Sequence, residues 1–354
     1  MVNKENITSL ISEGISHKIF PGCVVGYNGY GGCGIIQEGK ITYDSDALRV
    51  EGDTIYDIAS LTKIITTTGI LVLNTNKQLD LDDPINNHLN VTTFPGVTIR
   101  HILAHVGGLT LSLSSLKDLP KNEIDMMILN TPPTSEPGEK TYYSNQGFYI
   151  LGKIIEYITN QPLVSFFEEN IFRPLGMIDT QANPLARLKS RIAPTEDDKW
   201  RGKLIWGEPH DETAYKIGAL CGHAGLFSTA QDLLRLGGLW LDMGKHKNTQ
   251  IVSPELISEG THDNFPKAKN STGDYNYNFA LGWRLHDRKF IGSLASDNTY
   301  AFSGFTGPSL MVDPQKGAVV AIMNNRVHPS RLTSNNRALY HANITNEVYN
   351  GLNL

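Results

Sequence analysis

Three cysteines, Cys23, Cys33 and Cys221, are too few and odd in number for a disulfide framework. Cys23 and Cys33 fall on opposite arms of an expected hairpin, so a bond between them stays open, with free thiols the preferred reading. No apolar run approaches the roughly 20 residues that a membrane-spanning helix needs. The opening stretch Met1-Val2-Asn3-Lys4-Glu5-Asn6 leads into an amphipathic helix pattern, not an apolar signal core. The expectation is a soluble cytoplasmic protein, although a mature exported chain would read the same way. Charge of one sign is also scarce: 31 Lys and Arg against 36 Asp and Glu leave a formal net charge of −5. That argues against nucleic acid or an anionic membrane as partner and points to a small-molecule substrate. The G-x-S-x-G elbow is missing, which counts against an α/β-hydrolase. There is no internal repeat and no low-complexity linker.

What remains is a chain of 354 residues, long enough for two domains or one large one with a full core. Ile7, Leu10, Ile11 and Ile15 recur at helical spacing. Cys23 to Tyr27 and Gly34 to Gln37 read as strands around a glycine-rich turn, and Ile41 to Tyr43 as the start of a third. Thr62 to Leu73 is apolar and helical until Asp80-Leu81-Asp82-Asp83-Pro84 breaks the pattern. From about residue 80 to 215 helices and loops dominate, including Ile150 to Tyr157 and Leu163 to Phe172. A helix at Ala230 to Leu241 follows. Strand-like runs return at Phe279 to Leu285, Ser309 to Val312 and Ala318 to Met323, before a last helix from about Asn336 to Tyr349. Strands at both ends with helices between imply an α+β fold. Its antiparallel sheet is formed by residues 1–79 and 216–354 and flanked by helices, with a mainly helical domain, 80–215, inserted.

The chemistry centres on Asp57-Ile58-Ala59-Ser60-Leu61-Thr62-Lys63. Ser60 stands just before an apolar helix, and one helical turn brings Lys63 to the same face. The positive potential of the helix start favours an oxyanion and disfavours a nearby ammonium. A lysine base must be neutral, and moving its pKa from ~10.4 to about 7 takes roughly 5 kcal/mol of differential environment. Ser-x-x-Lys alone is a weak signal, since an N-cap serine with a solvated lysine looks the same. A second copy, Ser114-Ser115-Leu116-Lys117, lies in a serine-rich stretch with no strong helix after it and is read as a surface loop. Tyr143-Ser144-Asn145, the single Tyr-x-Asn of the chain, follows a turn-rich loop and precedes the helix at Ile150. Tyr143 is suited to take the Ser60 proton and return it to a leaving group. Asn145 is suited to hold Lys63 and a substrate carbonyl.

Ser60-Leu61-Thr62-Lys63 together with Tyr143-Ser144-Asn145 resembles the first two motifs of the class C β-lactamase and penicillin-binding-protein-like serine hydrolases. His101-Ile102-Leu103-Ala104-His105-Val106-Gly107-Gly108-Leu109 and Ile171-Phe172-Arg173-Pro174-Leu175-Gly176-Met177 resemble further segments. So do Gly222-His223-Ala224-Gly225-Leu226-Phe227-Ser228-Thr229-Ala230 and Asn325-Arg326-Val327-His328-Pro329. The resemblance runs from about residue 15 to the end. It implies an antiparallel sheet flanked by helices plus a helical domain, with the site in the cleft between. The third family motif, usually Lys-Thr-Gly or His-Thr-Gly, corresponds to Phe302-Ser303-Gly304. By resemblance Ser303 donates to substrate, Gly304 lets substrate approach the strand, and the backbone N–H groups of Ser60 and Phe305 form the oxyanion hole. Phe302 replaces the cation, which implies weak recognition of a substrate carboxylate and a preference for neutral esters or amides.

Other patterns carry less. Gly29-Tyr30-Gly31-Gly32-Cys33-Gly34 fits G-x-G-x-x-G, but a strand follows it, not a helix, so no dinucleotide site is expected. His101 and His105 are four apart without the adjacent Glu of a zinc helix. His105 is read as structural or at the cleft edge, and His223 as a cleft-border or turn residue. No metal or organic cofactor is implied. The expected enzyme is a serine hydrolase that forms an acyl-enzyme on Ser60 with Lys63 and Tyr143 moving protons, on small esters or amides. The alternatives are a D-amino-acid peptidase or DD-carboxypeptidase and, from another class, a non-catalytic binding module. Oligomeric state stays open.

Overall fold

A computed structural model describes residues 2–218, 220–270, 278–332 and 337–352. The chain opens with helix α1 (Lys4–Ser16), capped by Asn3, whose side chain accepts from the Glu5 and Asn6 N–H groups. Strands β1 (Gly22–Gly29) and β2 (Gly32–Gly39) form a hairpin closed by the two-residue loop Tyr30-Gly31. The glycine-rich stretch is therefore a hairpin turn, not a phosphate loop. Cys23 pairs with Glu38 and Cys33 with Asn28 in the register. The five-residue offset separates them by roughly 17 Å, and both are free thiols.

Buried helix α2 (Thr62–Thr75) follows, then α3 (Asn145–Thr159) and α4 (Ala230–Leu241). The C-terminal half supplies β3 (Asn278–Phe279), β4 (Arg284–Leu285), β5 (Tyr300–Ser303), β6 (Ser309–Asp313), β7 (Ala318–Asn324) and helix α5 (Arg337–Leu352). The sheet order is β3-β4-β5-β6-β7-β1-β2, every neighbour antiparallel. Among the described residues both ends of the chain thus build one seven-stranded sheet, as the sequence pattern implied.

Side-chain alternation feeds two cores. Cys23, Val25, Val320 and Ile322 face the layer of α1 and α5. Val24, Val319, Ala321 and Met323 face α4 and the large core shared with α2 and α3. Because both faces are covered, β1 and β7 read as nearly continuous apolar runs. Helix α2 is buried from Thr62 to Leu73. Thr68 donates to the Ile64 carbonyl within the helix, and Thr66 donates across to the Gly222 carbonyl. A helix buried on all sides holds its polar residues in fixed surroundings, and Lys63 lies on its first turn.

Two expectations need correction. No strand forms at Ile41 to Tyr43: Thr42 donates to Asp44 Oδ2, the Asp44 N–H returns to Thr42 Oγ1, and this local closure bends the chain. Phe279 to Leu285 is not one run but the two short strands β3 and β4. Gly282 turns between them at φ +83° and donates its N–H to the Leu103 carbonyl. Helix Leu163–Phe167 continues through a π-helical turn, Glu168–Phe172. The expected start of the last helix at Asn336 lies outside the described residues. No helix among the described residues is long and apolar enough to cross a membrane.

Candidate active site

Ser60 sits in a single 3₁₀ turn, Ala59–Leu61, that leads into α2. Its hydroxyl does not cap the helix: the N-cap position is Leu61, and Ser60 Oγ meets Lys63 and Tyr143 instead of a backbone N–H. The N-cap explanation of this serine therefore fails. Ala59 immediately before it has φ +42°, a conformation non-glycine residues adopt at a cost. Asp57 holds that turn by accepting the Ala59 N–H at 2.8 Å.

Lys63 is fully buried, and its amine faces four oxygens. Tyr143 Oη is at 2.7 Å, Asn145 Oδ1 at 2.8 Å, Ser60 Oγ at 3.1 Å and the His223 carbonyl at 3.3 Å. Tyr143 Oη also lies 2.8 Å from Ser60 Oγ, closing a triangle. Burial brings Lys63 down to about 7; Asp211 works against this and Arg284 with it. Burial pushes the Tyr143 phenol up to about 12, partly offset by its bond to Ser60 and by Arg284. Near neutral pH the amine is thus the group that changes charge, while the phenol keeps its proton. With Lys63 neutral, a proton path runs from Ser60 Oγ to Tyr143 Oη to Lys63 Nζ.

The Tyr143 loop is fixed from below by His105. Its Nδ1 accepts the Ser144 N–H at 3.0 Å, and its carbonyl accepts the Tyr142 N–H. Its ring lies 4.9 Å from that of Tyr143. Burial, with Lys63 and Arg284 nearby, holds His105 well below the usual imidazole range, so it stays a neutral acceptor. His101 spends its Nδ1 on Thr98, and no metal-binding cluster occurs among the described residues.

The cleft above the triangle has a volume of about 800 Å³ and is lined by Ser60, Tyr143, Asn145, Ser303 and Phe305 among others. Three of the expected contacts differ. Phe302 is fully buried, its ring packed 6.3 Å from Tyr143, and it does not line the cleft. A cation is nevertheless present: Arg284 on β4 lies over the Phe302 ring, 5.1 Å from its centroid, and lines the cleft beside Asp287, Lys289 and Arg337. Gly304 does not line the cleft, and glycine is needed there by the protein itself, since a Cβ would stand 2.3 Å from the Ile58 carbonyl oxygen. His223 is buried and offers its carbonyl to Lys63, while its Nε2 contacts Asp211 Oδ1 at 3.1 Å.

Asp211 and Arg284 carried no signal that sequence reasoning recognised. Asp211 caps the short helix Glu212–Ile217 by accepting the Ala214 N–H. Burial opposes its ionisation, but His223, the Ala214 N–H and Lys63 outweigh burial and hold the carboxyl below the usual range. Ser114 also lines the cleft, in the 3₁₀ turn Leu113–Leu116, bonded to Ser112 Oγ at 3.1 Å. Lys117 turns away onto the ring of Trp200, so this second Ser-x-x-Lys lacks its amine.

The β-lactamase family model matches residues 28–343. The chain belongs to the β-lactamase family. Members of this family are serine hydrolases, and so is this enzyme. A relative from Escherichia coli K12 named "Putative D-alanyl-D-alanine carboxypeptidase" is 31% identical over 327 residues, covering 82% of this chain and 73% of that protein. Among solved structures, EstCE1, described as a hydrolase with promiscuous acyltransferase activity, aligns with a TM-score of 0.77. Identity is 19%, and 98% of each chain is covered. A penicillin-binding protein homologue from Caulobacter crescentus gives the same TM-score at 16% identity, covering 98% of this chain and 97% of its own. These two likenesses establish the β-lactamase-family fold.

Proposed function

We propose that this β-lactamase-family hydrolase forms an acyl-enzyme on Ser60, with Lys63 as the base and Tyr143 as the proton relay. The observation that carries this reading is the closed triangle of Ser60, Lys63 and Tyr143 inside a cleft, with Lys63 buried on α2. Neutral Lys63 draws the Ser60 proton through Tyr143, and Oγ attacks the acyl carbon. The oxyanion meets the backbone N–H groups of Ser60 and Phe305, as the family resemblance implies. Tyr143 then protonates the leaving group. Water repeats the sequence on the ester to free the acid and regenerate Ser60. Asn145 keeps the Lys63 amine turned toward the pair.

For the substrate, Arg284 favours the alternative reading over neutral esters. Arg284, on the neighbouring strand and 3.7 Å from the Asp287 carboxylate, lines the cleft and supports a cationic subsite there. A scissile ester or amide with a carboxylate beside it, as in a peptide ending in D-alanine, suits that cleft. The name of the Escherichia coli relative supports the same class. The test is intact-protein and peptide mass spectrometry after exposure to a fluorophosphonate, a D-alanyl-D-alanine peptide, a penicillin and a short neutral ester. Adducts on Ser60 and release of D-alanine support the reading. Labelling of another residue, or turnover by Ser60→Ala, would overturn it.

A further inference from the structure

Asp57 is buried three residues before Ser60, yet nothing in the proton path uses it. Its two carboxylate oxygens serve two different parts of the chain. Oδ1 accepts the Ala59 N–H at 2.8 Å, fixing the turn that presents Ser60. Oδ2 accepts the His210 N–H at 2.6 Å, from a loop 153 residues away. Its backbone carbonyl accepts a third bond, from the Thr306 hydroxyl at 2.7 Å. Thr306 follows Phe305 in the turn after β5, the turn whose N–H completes the proposed oxyanion hole.

The His210 bond reaches the base side of the site. His210 is otherwise fixed through its carbonyl, which accepts from Arg201, and through its ring, which meets Glu196 at 2.9 Å. The next residue, Asp211, contacts His223, and the His223 carbonyl faces Lys63 Nζ. One buried carboxylate therefore joins the nucleophile turn to the wall that carries the lysine's surroundings.

We propose that Asp57 is a positioning residue for acylation, tying the Ser60 turn, the 210 loop and the oxyanion turn into one frame. It touches no substrate and moves no proton. Its role is to hold Ala59 at positive φ, and with it the aim of Ser60 Oγ between Tyr143 and the Phe305 N–H. The proposal rests on Ser60 being the nucleophile.

Asp57→Asn keeps the size but replaces one acceptor by a donor, so one of the two N–H groups loses its partner. Thr306→Val removes the third tie, and Thr306→Ser restores it. The measurements are kcat and KM for a nitrophenyl ester and the rate of fluorophosphonate labelling, on protein shown to be folded by circular dichroism. For Asp57→Asn, kcat and labelling rate should fall about 10- to 100-fold with KM within about 2-fold, since ångström-scale misplacement of reacting groups costs rate on the order of 10²-fold. Thr306→Val should lose kcat in the same sense, Thr306→Ser should recover it, and the double variant should lose less than the product of the single losses. A folded Asp57→Asn with wild-type kcat, or a loss confined to KM, overturns the proposal. Where Asp57→Asn does not fold, Thr306→Val decides: an unchanged kcat overturns the frame, and a loss rescued by serine supports it. If the label maps away from Ser60 in the wild type, the underlying functional reading fails instead. A label on Ser60 with undiminished rates in the variants sinks only the frame.

Discussion

Lys63 Nζ and Tyr143 Oη stand 2.7 Å apart, and burial moves their proton affinities in opposite directions, the amine down to about 7 and the phenol up to about 12. A pair so arranged passes a proton from phenol to amine only when the amine is neutral. Opposite-direction tuning of two touching groups separates the base from the relay.

On the proposed mechanism, kcat/KM for an ester should therefore rise with pH through an apparent midpoint near 7, because Lys63 must lose its proton. The sign for its neighbours follows. The Asp211 charge raises the Lys63 pKa and the Arg284 charge lowers it. Asp211→Asn should shift the midpoint to lower pH, and Arg284→Gln should shift it to higher pH. Lys63→Arg should be as inactive as Lys63→Ala, since a guanidinium keeps its proton. The check is a pH–rate profile of each variant. Midpoints that do not move, or an active Lys63→Arg enzyme, would remove Lys63 from the role of base.

Ser114 offers the counter-test. It lines the cleft as Ser60 does, but Lys117 is stacked on Trp200, so no amine serves the Ser114 hydroxyl. Ser114→Ala should leave kcat and covalent labelling unchanged and alter KM by at most a few-fold. Ser60→Ala should abolish both. A loss of labelling in Ser114→Ala would mean that the wrong serine has been assigned.

Legibility in the sequence followed contact distance along the chain. Ser60 and Lys63 are three residues apart on a helix, so their meeting could be read directly. Tyr143 is 80 residues from Lys63, and it was reached through its motif, a Tyr-x-Asn between a turn-rich loop and a helix, not through spacing. Arg284 was invisible because its place depends on strand pairing. Phe279 to Leu285 reads as one strand-like run, yet Gly282 folds it into a hairpin, and the guanidinium comes to lie over the Phe302 ring only once that hairpin pairs with β5. His223 was noticed for its ring, but the atom that meets Lys63 is its backbone carbonyl, which any residue would supply. The sheet was readable from both ends because its central strands are buried on both faces. The bend at Thr42 was not, since it is made by a two-residue side-chain loop.

Gly304 passes so close to the nucleophile turn that a methyl group has no room, its nearest neighbour being the Ile58 carbonyl oxygen at 2.3 Å. That neighbour is backbone and cannot swing aside. Gly304→Ala should push β5 from the Ser60 turn, at a stability cost of about 1–3 kcal/mol typical of overpacking. It should also lower kcat more than KM, because the Phe305 N–H moves with the strand. Thermal unfolding and ester kinetics give both numbers. Wild-type kcat with lowered stability would separate the strand contact from catalysis.

Phe302 and Arg284 bear on substrate selectivity in opposite ways. Phe302 is buried between Tyr143 and the Arg284 guanidinium. Restoring the family lysine there would not create a cleft cation. Phe302→Lys would bury an ammonium against Arg284 and near Lys63, a position with positive charge already in place. It should destabilise the fold by about 3–5 kcal/mol, as uncompensated buried charges do, and should not improve acylation by penicillins. Arg284→Gln should act on selectivity instead. Charge-assisted hydrogen bonds contribute roughly 1.5–3 kcal/mol, so kcat/KM for a carboxylate-bearing peptide or penicillin should fall about 10- to 100-fold. Neutral esters should change far less once both are compared at pH values where Lys63 is neutral in wild type and variant alike. The pH condition matters because Arg284 also lowers the Lys63 pKa, and a loss common to all substrates would report that effect alone. Equal losses for charged and neutral substrates at high pH would take the carboxylate away from Arg284. A Phe302→Lys enzyme that folds normally and acylates faster would return the cation site to β5.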